Sequence, residues 1–173
     1  MTGPTVVVLV GPKGAGKSYL AGRMRDELGY GYVDAERIWL QLRAEGDHVG
    51  AAFDDEGQRR ILSEISERLR TSTAVVTEST AAAPWFAAFI ARLEALAPVE
   101  FIRVVAPLDA CLARIERRDG AAHLPASVDL IRRVHAHAEG VSLPWSLVVE
   151  NRSPEDADRF LRSLPVRRRR SKA

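Results

Sequence analysis

The chain has 173 residues and a mass of 19.0 kDa, room for one compact domain. Its 46% hydrophobic and 28% charged residues exclude a disordered or collagen-like chain, and no apolar run approaches the ~20 residues of a membrane-crossing helix. The net charge of +2 is unevenly spread: Arg167, Arg168, Arg169, Arg170 and Lys172 give 166–173 a charge of +5, and the rest, with 20 basic and 23 acidic residues, carries −3.

Residues 5–10 are a continuous β-branched and aliphatic run between Pro4 and Gly11, the pattern of a strand buried on both faces. A helix is expected over 16–28 and a short second strand over 32–34. The 36–70 stretch reads as helical but broken around Gly46 and Gly57, with Ile61, Ile65 and Leu69 spaced along one face. Further strands are expected over 74–77, 100–105 and 146–150. Helices fall over 84–95, with Pro84 near the first position, and over 108–118 and 127–137. Ser153-Pro154 opens the last helix as N-cap and first turn. Strands alternating with helices imply α/β architecture with a five-stranded parallel sheet covered on both faces.

Gly11-Pro12-Lys13-Gly14-Ala15-Gly16-Lys17-Ser18 fits G-x-x-x-x-G-K-[ST] at every fixed position, between a buried strand and a helix. Glycines let successive backbone N–H groups turn inward as an anion nest at a helix N-terminus. Lys17 then bridges the β- and γ-phosphates of ATP, and the Ser18 hydroxyl ligates Mg²⁺. No N-K-x-D guanine signature is present.

A short chain with this motif in its first 20 residues resembles the small P-loop kinases, the shikimate-kinase-like and adenylate-kinase-like branch of the P-loop NTPases, and so an AAA-family ATP-binding protein. That resemblance implies a three-layer α/β/α fold with strand order 2-3-1-4-5 and a short lid. It implies one kinase domain over 1–165, with acceptor binding in about 35–72 and the lid in about 117–126, followed by a basic tail over 166–173. Lys13, Gly14, Ala15, Gly16, Lys17, Ser18 and Tyr19 would hold nucleotide together with Gly11.

Asp34 and Glu36 stand where shikimate kinases carry Asp-x-Asp after the second strand. By that match Asp34 holds a Mg²⁺-bound water, and Glu36 orients or deprotonates the acceptor hydroxyl; a pair at a helix N-terminus is the competing reading. Val75-Val76-Thr77-Glu78 resembles a Walker B strand, with Glu78 beside the metal or acting as the base. Shikimate kinases have a glycine cluster here, which this chain lacks.

Arg114-Ile115-Glu116-Arg117-Arg118 fits the R-I-x-x-R that opens the lid in adenylate-kinase-like enzymes. Arg114 would stack on the base, with Arg118 and Arg117 on the transferring phosphates, where guanidinium donors meet spread negative charge. A solvated basic helix end is the rival. Arg152 follows the last strand where related kinases form an adenine-side loop, which by that resemblance sets it against the base; a helix-capping turn is the competing reading. Arg59, Arg60, Arg132 and Arg133 occupy places like the acceptor-binding arginines of shikimate kinase, although a solvated charged face has the same spacing. Trp39, Trp85 and Trp145 either wall the acceptor pocket or fill core.

The expected function is ATP- and Mg²⁺-dependent phosphorylation of a small hydroxyl or phosphate acceptor by a monomer or homodimer. A nucleic-acid-end or RNA kinase and a non-catalytic ATP-binding switch are the alternatives. One cysteine, Cys111, and an opening without a basic n-region fit a cytoplasmic protein that does not engage membranes.

Overall fold

The computed structural model describes residues 3–46, 50–118, 120 and 123–166. Its elements run β1 (Thr5–Val10), α1 (Lys17–Leu28), β2 (Gly31–Tyr32), α2 (Ala35–Ala44), α3 (Ala51–Leu69), β3 (Ala74–Ser79), α4 (Phe86–Glu94), β4 (Val99–Val105), α5 (Leu108–Glu116), α6 (Val128–Gly140), β5 (Trp145–Glu150) and α7 (Pro154–Ser163). All strand pairs are parallel, in the order β2-β3-β1-β4-β5 that the kinase resemblance implies.

The strand β1 shows why the sheet is buried on both sides. Its side chains alternate faces, so Val6, Val8 and Val10 join a core with Ile38, Ile65, Phe89 and Leu93, while Val7 and Leu9 join a second core with Leu20, Met24, Cys111 and Phe160. Each such aliphatic side chain contributes about 1.5–3 kcal/mol by leaving water. A run without polar interruptions is therefore what this position demands.

Helix ends follow local chemistry. Asp34 caps α2 by accepting from the Arg37 N–H at 2.9 Å. Ser153 and Asp156 form a reciprocal capping box at α7, with Pro154 in its first turn. The chain departs from expectation in two places. Pro84 precedes Trp85, the N-cap of α4, so it stands outside the helix rather than in its first turn. The 36–70 stretch breaks between Ala44 and Ala51, but Gly57 lies inside α3. A Cβ on Gly57 would overlap the Trp39 ring, so the glycine is a slot for an aromatic side chain and not a helix breaker.

The register places the ends of β1 and β3 level, with Val10 opposite Ser79. Gly11, Glu78 and Ser79 thus share the carboxyl edge of the sheet, where open α/β sheets hold ligands.

Candidate active site

From Gly11 to Ser18 the backbone leaves β1, turns back and enters α1. Gly14 and Gly16 have φ of +85° and +90°, a left-handed conformation that disfavours side chains. A Cβ on Gly14 would also overlap the Cys111 carbonyl, and one on Gly16 the Asn151 amide. Lys17, only 8% exposed, donates from Nζ to the carbonyls of Gly11 and Pro12 at 2.9 Å each. Burial lowers its pKa to about 8, against the opposing pull of Glu78 and Glu36. A cation is held in a dry loop where a phosphate would restore its preference for charge.

Ser18 follows, its Oγ donating to Glu78 Oε2 at 2.8 Å, while the Tyr32 hydroxyl donates to Oε1 at 3.1 Å. Burial pushes the Glu78 carboxyl up; Lys17 and Ser18 oppose this, and nearby Asp34 adds to it. Motif serine and strand-end carboxylate are thus joined at one point. No cluster of three or more metal-ligating side chains occurs among the described residues. A hydroxyl and one or two carboxylates still suit Mg²⁺, which retains waters and takes its remaining ligands from phosphates.

Glu36, at the start of α2, gathers three partners. Its Oε1 accepts from Lys13 Nζ at 2.8 Å and from the Leu124 N–H at 3.0 Å, and its Oε2 accepts from His123 Nδ1 at 3.0 Å. Burial alone would raise this carboxyl; the Lys13 ammonium, the His123 ring and the Leu124 N–H outweigh it and hold the pKa at about 2. One carboxylate therefore ties the phosphate loop, α2 and the segment after α5 together.

A cleft of about 220 Å³ runs from Lys13, Lys17 and Ser18 past Glu36 and Glu78 to a wall of Trp39, Trp85 and Phe89. The Trp39 and Trp85 rings lie 5.8 Å apart, Trp39 also meets Phe53 at 5.4 Å, and Trp85 meets Phe89 edge-on at 5.9 Å. Arg118 also lines this cleft.

A family model described as an AAA domain matches residues 6–140. The chain belongs to the AAA domain family. It is 30% identical over 138 residues to a cytidylate kinase of Ignicoccus hospitalis, covering 75% of this chain and 73% of that one. It is 36% identical over 73 residues to a shikimate kinase of Gloeobacter violaceus, covering 38% and 40%. A solved sugar kinase of Janibacter sp. HTCC2649 shares the fold, with a TM-score of 0.62 at 21% identity over 92% of this chain and 93% of that one. The fold of this AAA domain is that of the P-loop kinases.

Not every residue singled out from the sequence reaches the cleft of this P-loop domain. Arg59 and Arg60 point along the outer face of α3, Arg59 onto Glu56 and Arg60 onto Glu56 and Glu45. Arg132 and Arg133 are exposed on α6. None of the four lines the cleft, because their helices turn other faces to the sheet. Arg117 and Tyr19 are exposed, and Arg152 pairs with Glu150 at the surface. Trp145 is partly buried against the core, beneath the Arg103 guanidinium. Asp34 spends one oxygen on the α2 cap.

Arg114 lies behind the loop, donating to the carbonyls of Gly14 and Ala15 at 3.3 and 3.4 Å and of Asn151 at 2.7 Å. Buried Asn151 donates to the Ala15 carbonyl at 2.7 Å and was not singled out from the sequence. His123, Leu124 and Phe89 were also missed. Their signal is tertiary, since nothing in the local sequence points them at Glu36 or Trp85. Asp119, His48 and the arginines of the tail lie outside the described residues.

Proposed function

We propose that the chain is an ATP- and Mg²⁺-dependent kinase that phosphorylates a small-molecule hydroxyl, in a single catalytic domain over 1–165 with 117–126 as its lid. One observation carries this reading: the phosphate cradle at Lys17 and Ser18 opens directly into a second, walled subsite at Glu36, Trp39 and Trp85. A nucleotide-binding switch has no need of that second chamber. The relatives named as cytidylate and shikimate kinases support the kinase part of this reading and leave a hydroxyl or a phosphate as acceptor.

The loop N–H groups and Lys17 hold the β- and γ-phosphates of ATP, and Arg114 and Asn151 brace the loop from behind. Ser18 and Glu78, with Asp34 nearby, would hold Mg²⁺, which supplies charge neutralisation on the phosphate oxygens when bound. Arg118 meets charge on the transferring phosphoryl group. Glu36 orients the acceptor hydroxyl by exchanging one of its present partners for it. Closure of the lid residues over Glu36 excludes water that would otherwise compete as acceptor.

Lys17→Ala tests this reading. ADP formation in the presence of acceptor should fall by about 10²–10³, the usual consequence of removing one donor from a transition-state charge, with the melting temperature unchanged or raised. Undiminished ADP formation would overturn the assignment.

A further inference from the structure

The kinase reading leaves the chemical class of the acceptor open, and the charges along the cleft narrow it. Each cation on the cleft wall stands on the nucleotide side or is already paired. Lys13 is bound to Glu36 at 2.8 Å. Lys17 is inside the phosphate loop, and Arg118 stands close enough to Lys17 to push against its charge. Beyond Glu36 the lining is Ala35, Trp39, Ile61, Ala83, Trp85 and Phe89, with Thr77, Ser79 and Thr80 at the sheet edge. Among the described residues, Arg118 is a cleft-lining cation without an ion pair, and it stands within electrostatic reach of Lys17 in the phosphate loop.

A carboxylate or phosphate seated against Trp39, Trp85 and Phe89 would lie near the Glu36 carboxylate and would lose its hydration against apolar rings. The arginines that would have supplied a counter-charge, Arg59, Arg60, Arg132 and Arg133, face elsewhere.

The wall is also held for a flat partner. The Trp39 ring fills the slot left by the missing Cβ of Gly57 and is flanked by Phe53 and Trp85, so its position is fixed by packing on α3. Fixed aromatic faces bind rings and apolar bodies at little entropic cost.

Resting on the kinase reading, we propose that the acceptor is a non-anionic alcohol with an apolar or ring-bearing body, seated on Trp39, Trp85 and Phe89 with its hydroxyl at Glu36. In the reaction a bond forms between the acceptor oxygen and the γ-phosphorus as the bond from that phosphorus to the β,γ-bridging oxygen breaks. ADP leaves, and the hydroxyl proton passes by way of a cleft carboxylate to solvent.

Matched pairs differing only in the anionic group provide the test: phenyl glucoside against phenyl glucuronide, and cytidine against cytidine monophosphate. Turnover is read as ADP release and binding as quenching of tryptophan fluorescence, both with the full chain. The neutral member of at least one pair should quench and turn over at least about 10-fold better than its anionic partner. Trp85→Ala should weaken that binding about 10-fold while the calorimetric affinity for ATP stays unchanged. Preference for the anionic members, or neutral members that neither quench nor turn over, overturns the proposal. ADP release with the anionic members would leave the kinase reading standing, whereas failure to bind ATP would remove that reading itself.

Discussion

Lys17 concentrates the chemistry of this protein in one side chain. Its folded pKa of about 8 lies below the ordinary 10.5, so between those values the unfolded chain binds more protons than the folded one. This group's contribution therefore makes stability rise with pH from about 8 to about 10.5, and below 8 the full cost of a buried charge, about 3 kcal/mol, is present. ATP phosphates remove that cost. Nucleotide binding near pH 8.5 should draw a proton from solvent, and affinity should weaken as pH rises further. Calorimetry in buffers of different ionisation enthalpy measures this directly; proton release on binding would contradict it. Glu36 has the opposite linkage sense for an acid: held at about 2, it contributes stability that is present above 4.5 and lost as pH falls toward 2. Glu36→Gln should cost about 1–2 kcal/mol at neutral pH, since the three hydrogen bonds to the carboxylate lose their ionised acceptor and the amide must find new partners. A denaturant midpoint equal to that of the parent chain would refute the three-way tie.

At the scale of elements, α2 and α3 meet where Gly57 admits the Trp39 ring, the wall on which we place the acceptor. Gly57→Val should push the Trp39 ring into the cleft and raise the acceptor KM about 10-fold, with the ATP KM little changed, because the atoms nearest an added Cβ all belong to Trp39 and none to the phosphate loop. Equal losses for both substrates would mean that α3 had been disrupted as a whole. The same pair shows what the sequence could reveal. The phosphate loop was readable because its pattern is contiguous: eight successive residues supply the motif's glycines, its lysine and its serine. Strands such as β1 were readable because burial on both faces leaves an uninterrupted apolar run. Gly57 was misread as a break because its meaning depends on a ring eighteen residues away. The arginines of α3 and α6 were ambiguous for a related reason: helical spacing says which residues share a face, and packing alone says where that face points.

For the whole molecule, the charge balance acquires a location. Residues 1–165 carry −3, yet Lys13, Lys17 and Arg118 line one cleft, with Arg114 behind its phosphate loop. The other end of that cleft, past Glu36, is apolar, walled by Trp39, Trp85 and Phe89. That polarity, cationic toward the nucleotide and apolar toward the acceptor, is the central claim about the molecule. It is tested most directly by incubating the full chain with γ-labelled ATP, Mg²⁺ and the matched neutral and anionic alcohols, then locating the label by phosphorus NMR. The account predicts label on the hydroxyl of a neutral acceptor with the parent chain, and none with Lys17→Ala. Label found only in inorganic phosphate, or only on anionic acceptors, would contradict it.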